Sequence, residues 1–378
     1  MIKLKLLGYI PSIEPKDVFG FSKQYSDLVW WRKESPIYYP CLLVSAYHGI
    51  NYAPDFRERL NLHDILIMGD SGGFQLSKGK VVDVIKSLRW QERNCDIGMG
   101  LDIPPTKHIT PEQRLEISFK YHVVMEKNRQ NYDMLLLKVF HAPSLAYMKL
   151  WYKNFKDLDM DGWAISPKNT PFVIWLAVMF CYLYEKGEID DSKWVHVFAL
   201  SGKESLPVVY YIKSIIKKDI TFDSSTWAMA RKFRRYFSPI NYSTGDLQIG
   251  DHITSDRSLP ISTNELDEFG DDSPCICPIC TKYPLTKQDP VLIAFHNLYV
   301  ILQWCAFLNY LSKKREKLRE WIVRSFSNNP KVLGAVEIID AQLEKGFDAV
   351  EQQMEKYYEE KYKGKKTEHE VFKQTTLI

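Results

Sequence analysis

The sequence predicts an α/β protein built as a (β/α)8 barrel of the TIM type, with a small zinc-binding insertion and a helical C-terminal extension. Three observations lead there. Eight short, apolar, β-prone stretches each run into a polar residue. Helix-patterned segments lie between most of them, and strands alternating with helices imply a parallel sheet. Eight such units within roughly 260 residues match the size of a barrel whose active site forms at the carboxyl ends of its strands. The competing architecture is a doubly wound open sheet, but no Gly-x-Gly-x-x-Gly follows any strand.

The elements read as follows. Cys41 to Ala46 is the first strand. Ile65 to Met68 runs into Asp70, Ile97 to Leu101 into Asp102, and Leu135 to Phe140 into His141. Trp163 to Ile165 runs into Ser166, Val195 to Leu200 into Ser201-Gly202, and Ile220 to Phe222 into Asp223. Val291 to Phe295, ending at His296, is taken as the eighth strand. Gln113 to Asn128 and Pro171 to Glu185 are helical. Near the C-terminus, Ile339, Leu343, Phe347, Val350, Met354 and Tyr357 recur at helical steps and predict an apolar stripe. The chain divides into an N-terminal segment (1–39), a barrel domain (40–310) with a zinc subdomain (270–298), and a C-terminal extension (311–378).

The composition sets bounds. Across 378 residues, 45% are hydrophobic and 26% charged, the profile of a globular protein with a sizeable core. A net charge of +3 means that any nucleic-acid surface must be a local patch. The N-terminal apolar stretch is too short for a signal peptide. The longest apolar run, Phe172 to Tyr184, falls short of the ~20 residues that span a bilayer. Four of seven cysteines (Cys41, Cys95, Cys181, Cys305) are scattered, which suits a reducing, cytoplasmic compartment.

The other three cysteines are clustered. Cys275-Ile-Cys277-Pro-Ile-Cys280, with His296 sixteen residues on, supplies three thiolates and an imidazole, a closed tetrahedral shell for one structural zinc ion. A disulfide with a spare thiol is the alternative. At the expected barrel mouth, Asp70 and Asp223 form a pair of the kind that carries out retaining glycosyl chemistry, one attacking the anomeric carbon and the other protonating the departing group. Each could instead cap the turn that follows it.

These residues carry a resemblance. Asp70-Ser-Gly-Gly-Phe-Gln75, Leu101-Asp102-Ile-Pro, Thr221-Phe-Asp-Ser-Ser225 and the Cys275/Cys277/Cys280/His296 cluster occur in the order found in the tRNA-guanine transglycosylase superfamily. The wording is closer to the archaeal branch than to the bacterial one. The resemblance implies that Asp223 is the nucleophile at C1′ and Asp70 the general acid/base. It implies that Asp102 grips the Watson–Crick edge of the base. Ser71, Gly72 and Gly73 then form the tight turn beside the base, Phe74 stacks on it, and Gln75 lies near the ribose. Ser166 belongs to the same pocket.

The chain also departs from that pattern. After the fourth strand as counted above, the family places Gln-Gly where this chain has His141-Ala142. After the fifth it places Gly-Gly where this chain has Ser166-Pro167, and proline has no N–H to offer. Both changes bear on the base pocket. The first forty residues do not resemble the usual entry strands, and the ~70 residues after the barrel leave no room for an archaeal-type RNA-binding domain.

Arg231-Lys232-Phe-Arg234-Arg235-Tyr236 packs four cations and two aromatics into six residues. Cations for phosphates and aromatics for bases suit a flipped or single-stranded nucleic acid. The second basic run, Lys313 to Arg319, reads as a surface helix. The expectation from sequence is exchange of guanine for a 7-deazaguanine base in DNA, as in the branch found in phages and bacteria. The same exchange in tRNA is the first alternative, and a non-catalytic nucleic-acid-binding subunit the second.

Overall fold

A computed structural model describes residues 8–106, 109–141, 143–167, 172–200, 202–216, 218–233, 235–237, 275–283 and 289–361. Eight parallel strands close into a barrel in sequence order: β1 (Tyr9–Ile13), β2 (Cys41–Ser45), β3 (Leu66–Asp70), β4 (Ile97–Met99), β5 (Leu135–Phe140), β6 (Gly162–Ile165), β7 (Trp194–Val197) and β8 (Ile220–Ser224). The barrel closes where β1 pairs with β8, Ile10 standing opposite Asp223. Side chains reinforce that seam. The Tyr9 hydroxyl donates to the Ser224 carbonyl at 2.9 Å, and the Tyr39 hydroxyl donates to the Tyr9 carbonyl at 2.6 Å.

Two of the expected elements are corrected. Val291 to Phe295 is not a strand but part of a 22-residue helix, Pro290–Leu311. Asp289 caps that helix, its carboxylate accepting from the Val291 and Leu292 amides at 2.8 and 3.0 Å, and Pro290 occupies the first turn. A short apolar run is ambiguous between buried strand and buried helix. The missing strand is β1, drawn from the first forty residues, where Pro11 disguises it because proline is rare inside a sheet. Asp70 therefore ends the third strand and Asp223 lies on the eighth, not the second and seventh.

The helix Phe172–Glu185 is buried from Val173 through Leu183, more than a surface helix of a barrel would be. Its outer side is covered by the helix Pro330–Lys345, and Gln342 Nε2 donates to Glu185 Oε2 at 2.6 Å. The expected C-terminal stripe is present but split. Gly346, at φ +78°, breaks it into Pro330–Lys345 and Phe347–Lys361. Pro290–Leu311 is long and apolar enough to cross a membrane, yet 78% of its most apolar window is buried inside the protein.

One buried histidine serves the barrel itself. β4 ends at Met99, so Val139 N–H on β5 finds no strand partner beyond it and donates to His122 Nε2 at 3.0 Å. Nε2 must then be the bare nitrogen, and Nδ1–H donates to the Ser118 carbonyl at 2.8 Å. Burial pushes the imidazole down from 6.5 to about 4. The unfolded chain therefore binds the extra proton between those values. Stability is complete above pH 6.5 and falls as pH drops toward 4, by about 3 kcal/mol from this group. Denaturant titrations of wild type and His122→Gln should converge across that window, the variant lacking this part of the acid loss.

Candidate active site and metal centre

All strands run the same way, so Asp70, Asp102, His141, Ser166 and Asp223 lie toward the same end of the barrel, the mouth. Asp70 is the last residue of β3, in register with Ser45 of β2. Asp102 lies three residues beyond β4, and His141 and Ser166 directly follow β5 and β6. The two aspartates of the expected pair thus stand on strands separated by β1 and β2.

Asp223 is held on one side. Its Oδ1 accepts the Ala199 N–H at 2.9 Å and faces His196 Nε2 at 3.3 Å. Ala199 adopts φ +59°, a left-handed conformation that costs a non-glycine residue of order 1 kcal/mol. The strain aims its amide at the carboxylate. His196 is fully buried, and because Oδ1 can only accept, Nε2 carries the proton of that contact. Its Nδ1 lies 3.0 Å from the Thr221 hydroxyl, which takes the Trp194 indole N–H at 2.8 Å. Oδ1 is thereby occupied, and no such contact engages Oδ2 among the described residues.

The Ser71-Gly72-Gly73 turn links β3 to Asp102. The Ser71 hydroxyl donates to the Gly100 carbonyl at 3.1 Å, and the Ser71 carbonyl accepts from Ser87 Oγ at 2.8 Å. Gly72 sits at φ +101°, where a side chain is strained. At Gly73 a Cβ would come within 2.7 Å of Asp102 Oδ1 and 2.5 Å of its carbonyl oxygen, so only glycine lets Asp102 pack against the turn. The Asp102 Oδ2 accepts from His141 Nε2 at 2.6 Å, and both residues are buried. The Ser166 amide donates to the Phe140 carbonyl at 2.9 Å, and the residue is buried.

Phe74 is half exposed at the mouth, with Lys78 Nζ 4.2 Å from its ring centre. Gln75 Nε2 lies 3.2 Å from His48 Nε2. The basic segment is less uniform than its sequence. Arg231 pairs with Asp17 at 2.8 Å and lies over Phe21. Tyr236 is buried and packs edge-on against His296, so it does not present a ring for stacking. Lys232 and Phe233 are exposed, Arg235 lies over Phe233, and Arg234 falls outside the described residues.

Cys275, Cys277, Cys280 and His296 come together as expected. Their ligand atoms lie within 4.8 Å of one another, all four residues buried. His296 Nδ1 is 3.7, 3.4 and 3.2 Å from the sulfurs of Cys275, Cys277 and Cys280. A tetrahedral zinc shell, with Zn–S about 2.3 Å and Zn–N about 2.0 Å, places such edges near 3.6 Å. The far nitrogen completes the fit. Nε2 lies 2.9 Å from the Phe237 carbonyl, which can only accept, so Nε2 carries the proton and Nδ1 presents its lone pair to the sulfurs. Hydrogen bonds among the sulfurs push the Cys280 thiol down and the Cys277 thiol up, so without a metal the pair shares one negative charge. The cluster can hold a metal ion such as zinc. Asn297, next to His296, accepts the Phe237 N–H at 2.9 Å and donates to the Arg235 carbonyl at 2.9 Å. His296 of the Cys3His cluster and Asn297 together pin the chain that follows β8.

Sequence reading missed His196, Ala199 and Arg114, a buried arginine in the first turn of helix Pro111–Asn128. His196 sits inside an alternating strand, where a lone histidine reads as core. Ala199 carries no chemical signal at all.

No family model matches the chain. It is similar to the tRNA-guanine(15) transglycosylase of Pyrococcus abyssi, 26% identical over 255 residues, covering 63% of this chain and 38% of that protein. It is similar to the protein of the same name from Thermococcus kodakarensis, 24% identical over 317 residues, 77% and 48% of the two chains. The Sulfolobus acidocaldarius protein of that name is 25% identical over 315 residues, 78% and 56% of the two chains. The aligned part thus spans about half, or less, of the length of these curated relatives. A closed parallel barrel, carboxylates gathered at its mouth and a buried Cys3His cluster accompany similarity to tRNA-guanine transglycosylases.

Proposed function

We propose that this chain is a nucleic-acid guanine transglycosylase working by double displacement, with a structural zinc ion in the Cys3His cluster. The observation that carries the reading is Asp223, with Oδ1 held by Ala199 N–H and Oδ2 left for attack, at the same mouth as Asp70. In the first step Oδ2 attacks C1′ of the target nucleoside, and the bond from C1′ to the base breaks. The bonding pair leaves with guanine, which takes a proton from Asp70. In the second step the incoming base gives its ring N–H proton to Asp70, its nitrogen bonds C1′, and the ester to Asp223 breaks. Asp102, Ser71, Gly72, Gly73 and Ser166 surround the base, Phe74 covers its face, and Gln75 lies toward the sugar. Lys232, Arg235 and neighbouring cations take phosphates, which makes binding salt-dependent. The incoming base is a 7-deazaguanine.

The names of the similar proteins support tRNA as the polymer, where sequence alone leads to DNA. DNA stays as the second reading because His141 and Ser166-Pro167 depart from the family's base-pocket pattern. Purified protein offered radiolabelled guanine with bulk tRNA or duplex DNA separates the two. Label is expected in tRNA. Label in DNA alone would carry the second reading, and label in neither would overturn base exchange.

A further inference from the structure

Among the described residues, two buried side chains at this end of the barrel carry polar atoms without a hydrogen-bond partner. Arg114 is 4% exposed, yet its Nε and Nη1 make no hydrogen bond. It lies in the first turn of helix Pro111–Asn128, and in this barrel the helix N-termini share the end of the strand C-termini. His141 is 1% exposed, and its Nδ1 is likewise unpartnered. Native proteins rarely leave such groups unsatisfied, and a guanidinium cannot lose its proton to escape the cost.

The nearby carboxylates do not serve Arg114. Ser118, one helical turn along from Arg114 on the same face, accepts the Ile103 N–H at 3.0 Å, which sets Arg114 toward the loop that carries Asp102. Asp102 Oδ2, however, is taken by His141, and Glu112 is bonded to the Tyr147 hydroxyl. No ion pair to Arg114 forms among the described residues. A charged fork held beside a carboxylate but not spent on it is set to receive a ligand oxygen.

With the His141 ring in its neutral form, each group has a single polarity. His141 Nε2 donates to Asp102, so in the neutral ring Nδ1 is an acceptor. Asp102 Oδ1, packed against Gly73, is a second acceptor. Arg114 only donates. Two acceptors beside a donor complement an edge with two N–H groups beside a carbonyl, which is the amino-lactam edge of a 6-oxo-2-aminopurine.

We infer that Arg114 is a specificity-determining residue that reads the 6-oxo group of the base, with His141 and Asp102 reading the adjoining N–H groups. This inference rests on the transglycosylase reading above. It also accounts for the two departures in the loops after β5 and β6, where the Gln-Gly and Gly-Gly pairs of the resembling family are replaced: the donor they would offer comes here from a neighbouring helix.

The test is a cycle of base against variant, read as KM and kcat for base uptake into polymer. Guanine, hypoxanthine (no 2-amino group) and 2-aminopurine (no 6-oxo group) are each offered to wild type, Arg114→Met and Arg114→Lys. In Arg114→Met, KM for guanine and for hypoxanthine should rise roughly 10–100-fold, the range for a charge-assisted hydrogen bond, with kcat little changed. The value for 2-aminopurine should stay within about threefold, since nothing is removed that it uses. Arg114→Lys, checked by thermal unfolding, covers the case in which the methionine variant does not fold. It keeps the charge, loses the fork, and should weaken the two oxo bases selectively. Equal losses for all three bases, or unfolding of both variants, would make Arg114 structural and overturn the inference while base exchange by wild type stands. Absence of guanine uptake by wild type would instead remove the underlying reading.

Discussion

Asp223→Asn should abolish base exchange, by at least ~10³-fold in kcat, while polymer binding changes by no more than about twofold. The substitution keeps the shape of the side chain. The Ala199 N–H that now meets Oδ1 at 2.9 Å meets an amide oxygen at the same place, so the fold is retained. What is lost is the negative charge on the atom that attacks C1′. A uniform loss of binding and turnover together would point to a collapsed mouth, and normal turnover would remove Asp223 from the chemistry. Assays should pair stopped-time label uptake with a filter-binding curve at fixed salt, because phosphate contacts make affinity depend on salt.

The second large effect concerns the metal. Wild type should contain one zinc per chain, and Cys277→Ser should lose it with a stability cost on the order of 4 kcal/mol or more. Cys277 has two tasks. Its sulfur faces His296 Nδ1 at 3.4 Å, and it caps the short helix Pro278–Lys282 by accepting the Cys280 N–H at 3.3 Å. Serine could still cap but is a poor metal ligand, so the loss reports on the ion. The effect should reach the mouth indirectly, since His296 and Asn297 bind the backbone at Phe237 and Arg235, downstream of Asp223. Ile276→Ala, at a side chain 93% exposed inside the same cluster, should change neither metal content nor stability. Metal analysis and chemical denaturation decide the matter: a Cys277→Ser protein with full zinc and unchanged stability would refute the assignment.

What the sequence revealed follows from how local each signal is. The Cys275/Cys277/Cys280 spacing is readable because one tight turn holds all three ligands, and His296 follows on the next helix. The strands ending near Asp70, Asp102 and Asp223 are readable because apolar runs stop where the barrel meets solvent. β1 is not, because Pro11 sits in its middle. The run Val291 to Phe295 misled because its first five residues look alike as strand or helix; the Asp289-Pro290 cap and the apolar continuation to Leu311 were the missed signal. The mouth itself was only half legible. Its aspartates are marked by motifs, but their partners are set by topology. His141 meets Asp102 across 39 residues of sequence, and His196 meets Asp223 across 27. Nor does anything in the pattern of Arg231 to Tyr236 reveal that Arg231 is spent on Asp17 and that Tyr236 is buried against His296.

The central claim is a covalent bond between Asp223 and the sugar of a nucleic acid. Wild type should be mixed with the polymer that takes up labelled guanine, without added base, then denatured and digested. Peptide mass spectrometry should find a nucleoside residue lacking its base, joined to the peptide that contains Asp223, and none in Asp223→Asn. An adduct on another residue, or steady base exchange with no adduct trapped at any time, would contradict the account.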